Sequence, residues 1–523
     1  MEYNPPSLIV KDLNFGEEAK NQVIAGVDKL CDAVKSTLGA SGKCVIYEDT
    51  KGRPIITKDG VTVAESVVLY DPVENIGATL IKEAAKKTVN EAGDGTTTAT
   101  VIAQSLLKTV NEPEYIGETI RSIKDGINSG LKKVSDYLDN TSIPVKDNML
   151  HNVATISCNN DKKLGNIIAE AYEKVGTDGV VLMEESEDDK TYADIVEGVQ
   201  LECKLTSPHW MTDKDRQVCT LDNPYVLIVS SPIPNIRKIQ PILEHVIKRG
   251  RALLIVAEVD QQVKSALLMN KIKGNIKVNI IDLPGFGPTK ADTVEDLAIL
   301  TGAKVMNEEL GDDLDLIQPD CLGEVVKSVT DNRTTVLTTG PFTKAIDKRK
   351  GDIDKKIKKE KNPFLQRKLE QRLAMLNGSV GVIKVGANSK IELNEKKDRV
   401  EDAIYATKAA LKEGIVPGGG IALLNAANKL EKSKNIGEKI LVQAIKSPFT
   451  TIMANAGIEN YEIPTKNGIG YDVVTGESVD MVKSGIVAPT LVTKTALKNA
   501  VSVGSTIISA DCVISNMRTN ESS

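Results

Sequence analysis

The chain has 523 residues, which is too many for one hydrophobic core and predicts about three domains. Its 41% hydrophobic and 26% charged residues, with a formal net charge of −6, are typical of a soluble globular protein and exclude a general electrostatic surface for nucleic acid. Seven scattered cysteines and three widely spaced histidines exclude a disulfide framework and a histidine-rich metal centre, and no apolar run is long enough to span a membrane.

The first part of the chain is predicted to be mainly helical. Apolar residues recur near helical spacing over 17–39, and short strands are predicted around 43–48 and 53–57. The turn Lys58-Asp59-Gly60 closes the second strand. Further helices are predicted over 72–92, 96–110 and 115–139.

From about residue 178 the pattern predicts an α/β domain. Short β-branched runs alternate with helical segments such as 235–248 and 260–271. Residues 344–376 are highly charged with a helical pattern, which favours a solvated helix face over a nucleic-acid contact. The chain then returns to helix at 397–413. This order indicates a discontinuous helical domain with an inserted α/β domain.

The sharpest motif is Gly93-Asp94-Gly95 followed by three threonines. The glycines allow a tight turn and a close approach to a ligand. The threonines open a helix whose free N–H groups and dipole favour an anion. Asp94 is placed to hold a hard cation such as Mg²⁺ beside that anion. The alternative is an ordinary threonine-capped helix, but the run of three threonines favours phosphate binding.

Other motifs are weaker when each is considered alone. Residues 39–44 have the wrong spacing for a Walker A loop, with Cys44 where serine or threonine should bind magnesium. The triple glycine 418–420 alone is a flexible turn. In the helical segment Arg399-Val400-Glu401-Asp402-Ala403, the apolar stripe leaves Asp402 off the packed face, where a carboxylate is usually only solvated.

The motifs in this order resemble those of group I chaperonins, the bacterial or GroEL-like type, across nearly the whole chain. The matching segments are 37–43, 57–61, 93–100, 175–180, 196–198, 284–287, 382–387, 396–403 and 418–420. The resemblance implies a multidomain α + α/β fold. It comprises a mainly helical equatorial ATP-binding domain (1–140 and 413–523), an intermediate hinge domain (141–198 and 378–412) and an α/β apical polypeptide-binding domain (199–377).

The resemblance also implies an ATPase site that uses ATP and Mg²⁺, with K⁺ as an additional candidate ion. Asp94 would coordinate Mg²⁺. Asp59 and Asp402 would be catalytic, orienting the attacking water and assisting departure of the γ-phosphate. Asp402 would arrive on the intermediate domain, which swings over bound ATP. The residues implied to bind the nucleotide are Leu38, Gly39, Gly60, Asp94, Gly95, Thr96, Thr97, Thr98, Gly418, Gly419 and Asp472.

A polypeptide-binding groove is implied between the apical helices 235–248 and 260–271. Exposed aliphatic residues there would hold unfolded chains without sequence specificity. The alternative is that several of these side chains fill the domain core. The residues implied to line the groove are Leu205, His209, Trp210, Ile239, Leu243, Val263, Leu268 and Met269.

The chain departs from the family pattern at several positions. Ala488 stands where the family has a ribose-contacting aspartate, and Asp472 stands at the position of a nearby asparagine. Loss of that carboxylate is expected to weaken nucleotide binding by about 1 kcal/mol unless Asp472 compensates. Lys390 and Cys203 replace an inter-subunit ion pair of the family, so ring cooperativity is expected to differ.

The implied function is an ATP-dependent chaperonin subunit that binds non-native polypeptides and promotes their folding. The implied partners are further copies of the chain in a ring, heptameric by family, and a lid co-chaperonin, without nucleic acid or membrane. We expect a cytoplasmic location, with an organelle matrix as the alternative. The competing function is a holdase or scaffold of the same fold with weak or lost ATP cycling. An unrelated metabolic kinase is a more distant alternative.

Overall fold

The computed structural model describes residues 10–516 except 116, 147–148, 159, 177–179, 187, 215, 286–289, 341–343, 360–364, 366–368, 370–371, 374 and 377. The predicted motifs 175–180 and 284–287 therefore lie partly outside the described residues. The chain forms two compact units, the first from Met1–Glu170, Met183–Tyr192 and Lys384–Ser523, the second from Ala171–Leu182 and Ala193–Ile383. The predicted three-domain boundaries stay a prediction.

The first unit is mainly helical. Its largest core contains small and aliphatic side chains from the long helices, which suits a sequence with only 3% aromatic residues. Its helices are Gly16–Lys35, Gly60–Ser66, Pro72–Ala92, Thr96–Val110, Ile120–Thr141, Met149–Ser157, Lys390–Glu413, Ile421–Leu430, Ile436–Ala444, Ser447–Asn455 and Thr490–Ile508. The helix Lys162–Val175 begins in this unit.

Two of the predicted helices have the bounds expected from the sequence. The helix Pro72–Ala92 begins at the N-cap Asp71, whose carboxylate accepts from two backbone N–H groups, and ends at Gly93 with φ 78°. The helix Thr96–Val110 begins after Gly95, whose φ is 94°. Left-handed backbone of this kind favours glycine. The predicted helix 17–39 ends earlier, at Lys35, because the chain turns toward Gly39, whose φ is 87°.

In the described part of the chain, four two-stranded antiparallel sheets accompany these helices. Lys11–Phe15 pairs with Cys512–Asn516, and Val45–Glu48 pairs with Pro54–Thr57. The two other pairs are Ile415–Pro417 with Val487–Pro489 and Ile469–Asp472 with Glu477–Asp480.

The second unit contains a parallel sheet that alternates with helices along the chain. Strands Tyr225–Ile233, Leu253–Val259, Val278–Ile281 and Val305–Met306 are parallel, and Gly323–Glu324 adds an antiparallel partner to the first of them. The helices that connect the parallel strands are Gln240–Arg249, Gln261–Ile272 and Lys290–Thr301. This arrangement confirms the α/β prediction.

A second sheet has six strands. In spatial order they are Val180–Glu185, Ser379–Val385, Tyr192–Leu201, Thr335–Thr338, Lys327–Thr330 and Cys219–Asp222. The charged helix Lys344–Lys359 follows the strand Thr335–Thr338 along the chain. Together the helical unit and the α/β unit confirm the predicted fold class, multidomain α + α/β. In the part of the chain that the structure describes, none of the helices has both the length and the hydropathy that a membrane crossing needs.

Candidate functional site

Asp59 is the N-cap of the helix Gly60–Ser66, and this role fixes the direction of its carboxylate. The carboxylate accepts from the Val61 N–H at 3.1 Å, and from the N–H and hydroxyl of Thr62 at 2.7 and 2.6 Å. Gly60 follows in the first helical turn, and a Cβ at that position would lie 2.4 Å from the Thr97 hydroxyl. The segment 59–60 therefore lies directly against the start of the helix Thr96–Val110.

The predicted phosphate motif forms the start of that helix. Gly95 is its N-cap and has no side chain to accept from the first N–H groups, so these remain available for an anion. Thr96 is buried, whereas Thr97 and Thr98 are half-buried. The Thr97 hydroxyl lies 3.4 Å from that of Thr37. The helix thus presents N–H groups and hydroxyls beside Asp59.

Asp402 lies on the helix Lys390–Glu413, which brings it to the same place. Burial is the largest cause that raises its pKa, followed by the carboxylates of Asp94 and Asp59, and then by Glu401 and Asp398. Together they raise the pKa of Asp402 well above its ordinary value. The geometry that brings this helix near Asp94 is the contact of Tyr405, one turn after Asp402, with Gly93.

The second of these carboxylates shows the same effect. Burial raises the pKa of Asp94, a hydrogen bond donated by the backbone N–H of Gly95 opposes the increase, and the charge of Asp59 adds to it. Like charges gathered in a partly dehydrated site are unfavourable unless a cation or protons neutralise them. The site is therefore suited to a positively charged ligand.

Leu38 and Gly39 form a loop that is held by the helix Ser447–Asn455. The side-chain amide of Asn455 donates to the carbonyl oxygens of Lys35 and Leu38, both at 2.9 Å. A Cβ on Gly39 would lie 3.1 Å from the Ile452 side chain. The loop therefore has little freedom to move away from this helix.

The triple glycine meets the same helix. A Cβ on Gly420 would lie 2.7 Å from the backbone nitrogen of Phe449. Gly418 donates its N–H to Ile486 at 2.9 Å, and Gly419 approaches the Met481 side chain. The predicted residues 38–39 and 418–419 are thus brought to one neighbourhood.

Ala488 lies beside the strand that leads into the triple glycine, whereas Asp472 lies in a separate hairpin. Ala488 pairs with Val416 in the short sheet that leads into Gly418, and the chain then continues into the helix that packs on Gly95 through Val492. Asp472 belongs to a hairpin, where its carboxylate accepts from the Val474 N–H at 2.9 Å and stabilises the turn. This hydrogen bond gives Asp472 a structural role that the sequence did not predict.

The described residues do not form a complete magnesium site on their own. Among the described residues, no three His, Cys, Asp or Glu side chains are grouped so that they could hold a metal ion. Mg²⁺ commonly binds through one or two carboxylates, completed by phosphate oxygens and water. The aspartates and the free helix N-terminus fit a magnesium–nucleotide complex, because each would neutralise a different part of it.

The predicted polypeptide groove needs a correction. The structure buries Trp210, Leu205, Ile239, Leu243 and Val263 in the core of the second unit, so the expectation that they are exposed is wrong for this structure. The physical reason is helical spacing. Ile239, Leu243 and their neighbours at 242 and 246 form one stripe that packs inward.

The remaining groove residues are accessible. His209 and Met269 are exposed, and Leu268 is half-buried. Sequence reasoning missed other exposed apolar side chains of the second unit: Ile247, Ile272, Leu310 and Leu316. The signal that could have identified Ile247 and Ile272 is their position beside, rather than within, the inward stripe of each helix.

Comparisons with known proteins agree with this fold. A family model described as the TCP-1/cpn60 chaperonin family matches residues 30–518. Crystal form II of the chaperonin gp146 from the bacteriophage EL 2 (Pseudomonas aeruginosa), in presence of ATP-BeFx, has a TM-score of 0.70 at 21% identity, covering 96% of this chain and 98% of that chain. Crystal form I of the same protein has a TM-score of 0.64 at 21% identity, with coverages of 97% and 99%.

Proposed function

The chain belongs to the TCP-1/cpn60 chaperonin family, and from this premise we propose that it is an ATPase that binds non-native polypeptides and promotes their folding. The observation that carries the proposal is the gathering of Asp59, Asp94 and Asp402 at a helix N-terminus that has no side-chain cap. Negative charge on one side and free N–H groups on the other match a cation bound to a phosphate chain.

The residues divide by their chemistry. Asp94 would hold Mg²⁺, and the start of the helix at Thr96, Thr97 and Thr98 would donate hydrogen bonds to phosphate oxygens. When bound, Mg²⁺ would neutralise negative charge on the γ-phosphate that is transferred to water and on the phosphates of the departing ADP. Leu38, Gly39, Gly60, Gly418 and Gly419 would form the walls that the nucleotide approaches closely.

Asp402 and Asp59 would act on the attacking water. The carboxylate of Asp59 is held by three hydrogen bonds, so it would orient a water with little reorganisation. The raised pKa of Asp402 makes its carboxylate a stronger proton acceptor than an ordinary aspartate. Asp402 would therefore take the proton as the water attacks the γ-phosphate.

Self-association in a ring is supported by exposed apolar side chains on small sheets of the first unit. Ile46 and Ile56 are 68% and 49% exposed on one hairpin, and Leu13, Phe15 and Ile514 are exposed on the sheet of the chain ends. Apolar strands with free edges are rare on monomers and favour pairing with another copy. The heptameric number and the lid co-chaperonin are proposed from the family resemblance.

Client binding is proposed for the exposed apolar residues of the second unit. Met269 and Ile272 are 55% and 71% exposed on one helix, and Ile247 is 50% exposed on another. Such side chains would hold unfolded chains through apolar contact without sequence specificity. His209 and Leu268 remain candidates for contact with the client. The buried residues of the predicted groove would instead pack in the core of the second unit.

Steady-state MgATP hydrolysis by the purified protein and its Asp402→Ala variant tests the proposed activity. We expect hydrolysis by the parent and a loss of about 100-fold or more in the variant, with nucleotide binding retained. The matched control is Asp136→Ala, which removes an exposed carboxylate of the same unit.

The holdase alternative is favoured by Ala488, where the family has a carboxylate. Refolding of a denatured test enzyme with and without ATP separates the two functions. Refolding that requires ATP supports the chaperonin cycle. An assembled protein that prevents aggregation equally well in both conditions and hydrolyses no ATP would support the holdase.

A further inference from the structure

Tyr405 lies one turn after Asp402 on the helix Lys390–Glu413 and packs directly on Gly93. A Cβ built on Gly93 would lie 2.2, 2.4 and 2.8 Å from Cβ, Cγ and Cδ1 of Tyr405. The base of the tyrosine ring therefore occupies the space where any other residue at 93 would place its side chain. This contact joins the helix of Asp402 to the residue that precedes Asp94.

The backbone of Gly93 is held in place at the end of a helix. It ends the helix Pro72–Ala92 with φ 78°, and its N–H donates to the Val89 carbonyl. A second contact lies one turn beyond Tyr405, where Ala409 packs in a small apolar cluster with Ala92 and Val492. Tyr405 and Ala409 share the side of the helix that carries Asp402. That side of the helix therefore packs against Ala92 and Gly93, which precede Asp94.

We propose that Tyr405 is a positioning residue, whose packing on Gly93 sets the separation between the carboxylates of Asp402 and Asp94. The inference rests on the proposed ATPase function and adds a residue to which the family resemblance assigned no role. Two carboxylates that repel each other need an opposing force to stay together, and the apolar contact at Gly93 supplies it. Without the ring, the contact at Gly93 would lose Cγ and Cδ1, and the position of Asp402 relative to Asp94 would be less constrained.

The atoms of Tyr405 that lie nearest to Gly93 are at the base of the side chain. Tyr405 is 41% exposed, and the atoms nearest Gly93 are Cβ, Cγ and Cδ1. Phenylalanine has the same three atoms, so Tyr405→Phe should preserve the position of Asp402. Tyr405→Ala keeps only Cβ and should not. The two variants therefore separate packing from the chemistry of the hydroxyl.

The experiment compares the parent, Tyr405→Ala and Tyr405→Phe in two measurements: the Kd for MgADP and the rate of ATP hydrolysis in a single turnover. We expect Tyr405→Ala to bind MgADP within about threefold of the parent and to hydrolyse ATP about tenfold or more slowly. Tyr405→Phe should match the parent in both measurements. Lys412→Ala, an exposed change on the same helix, is the control and should also match.

Parental hydrolysis by Tyr405→Ala would overturn the inference. Equal slowing in Tyr405→Ala and Tyr405→Phe would also overturn it, because the hydroxyl would then be responsible. Equal losses of binding and hydrolysis in Tyr405→Ala would indicate a disrupted fold and count against positioning.

If even the parent fails to hydrolyse ATP, the proposed function fails, and hydrogen exchange of residues 398–406 tests the contact separately. Faster exchange in Tyr405→Ala alone would support the packing role of Tyr405, and equal exchange in all variants would overturn it.

Discussion

Burial and the neighbouring carboxylate of Asp94 together raise the pKa of Asp402 well above its ordinary value. The two residues lie 308 positions apart in the chain, and they interact through their charges because the helix Lys390–Glu413 packs on Gly93, which precedes Asp94. This arrangement costs stability in the ligand-free protein, because charge is concentrated where water is scarce. The same negative charge favours binding of a cation. Stability, its dependence on pH and the affinity for a magnesium–nucleotide complex should therefore all change when one of these carboxylates is replaced.

Asp402→Asn should raise the thermal stability of the nucleotide-free protein at neutral pH while it removes hydrolysis. A carboxyl whose pKa is raised in the folded state binds more protons folded than unfolded, so folding stability falls as pH rises from about 4 through the raised pKa. Asn removes this part of the pH dependence. Thermal unfolding midpoints measured across pH test this prediction, with Asp136→Asn as the control. A pH dependence of stability in Asp402→Asn equal to that of the parent would contradict it.

Asp94→Asn should remove the dependence of nucleotide affinity on Mg²⁺. In the parent, the pKa of Asp94 is raised above its ordinary value, so a cation competes with a proton for this carboxylate up to a higher pH than at an ordinary aspartate. Affinity for MgADP should therefore increase with pH through that pKa, with release of protons. Calorimetry in buffers of different ionisation enthalpy measures this release. Equal binding by the variant with Mg²⁺ and with a chelator is expected, and a retained Mg²⁺ effect would assign the cation elsewhere.

Gly60→Ala should weaken nucleotide binding by about tenfold, because the new methyl group would lie 2.4 Å from the Thr97 hydroxyl and displace it. Thr97→Ala removes the hydroxyl, so adding Gly60→Ala to that variant should have little further effect. Nucleotide titrations of the parent, the two single variants and the double variant give the coupling free energy between positions 60 and 97. Gly351→Ala, where a Cβ would meet nothing within 4 Å, is the control. Additive losses would show that Gly60 does not act through Thr97.

Ile46→Glu should weaken self-association, since it places a charge on an exposed apolar strand that we propose to lie at a subunit contact. The concentration needed for half assembly should rise by about tenfold or more. Sedimentation or single-molecule mass measurements give the distribution of species. Lys51→Glu at the turn of the same hairpin is the control for added charge, and an unchanged mass distribution in Ile46→Glu would remove this hairpin from the interface.

Glu438→Gln should destabilise the first unit at neutral pH. Glu438 is 2% exposed, and burial alone would raise its pKa, but hydrogen bonds from Lys133, Ser129 and Ser433 lower it from 4.5 to about 2. A shift of this size corresponds to about 3 kcal/mol. The stabilisation is complete above pH 4.5 and is lost as pH falls toward 2.

Unfolding midpoints between pH 7 and pH 3 measure the effect of Glu438→Gln. The difference from the parent should shrink as the pH falls. The control is Glu431→Gln, whose side chain is 65% exposed. A difference that is independent of pH would mean that Glu438 stabilises by packing and not by charge.

Local features of the candidate site followed from the sequence alone. Gly93 and Gly95 mark helix ends through their left-handed backbone, which depends only on neighbouring residues. The ordered motifs indicated the chaperonin family, which the family model confirms. The assignment to group I and the roles of the site residues stay predictions.

The groove prediction shows the limit of this reasoning. Leu243 and Ile247 are both aliphatic residues on the helix Gln240–Arg249, yet the first is buried and the second is half exposed. Composition and spacing indicate that one side of a helix packs inward, but the edge of that side depends on what packs against it. The predicted groove residues were therefore largely core residues.

The sequence by itself determined the ends of the helices Pro72–Ala92 and Thr96–Val110, the alternation of strands and helices, and the residues available for phosphate and cation chemistry, because these depend on backbone preferences within a few residues. Only the tertiary structure decided that the charge of Asp94 acts on Asp402, that Tyr405 packs on Gly93, and which apolar side chains remain exposed. Those contacts join segments far apart in the chain, and long-range packing sets burial, charge proximity and hence pKa.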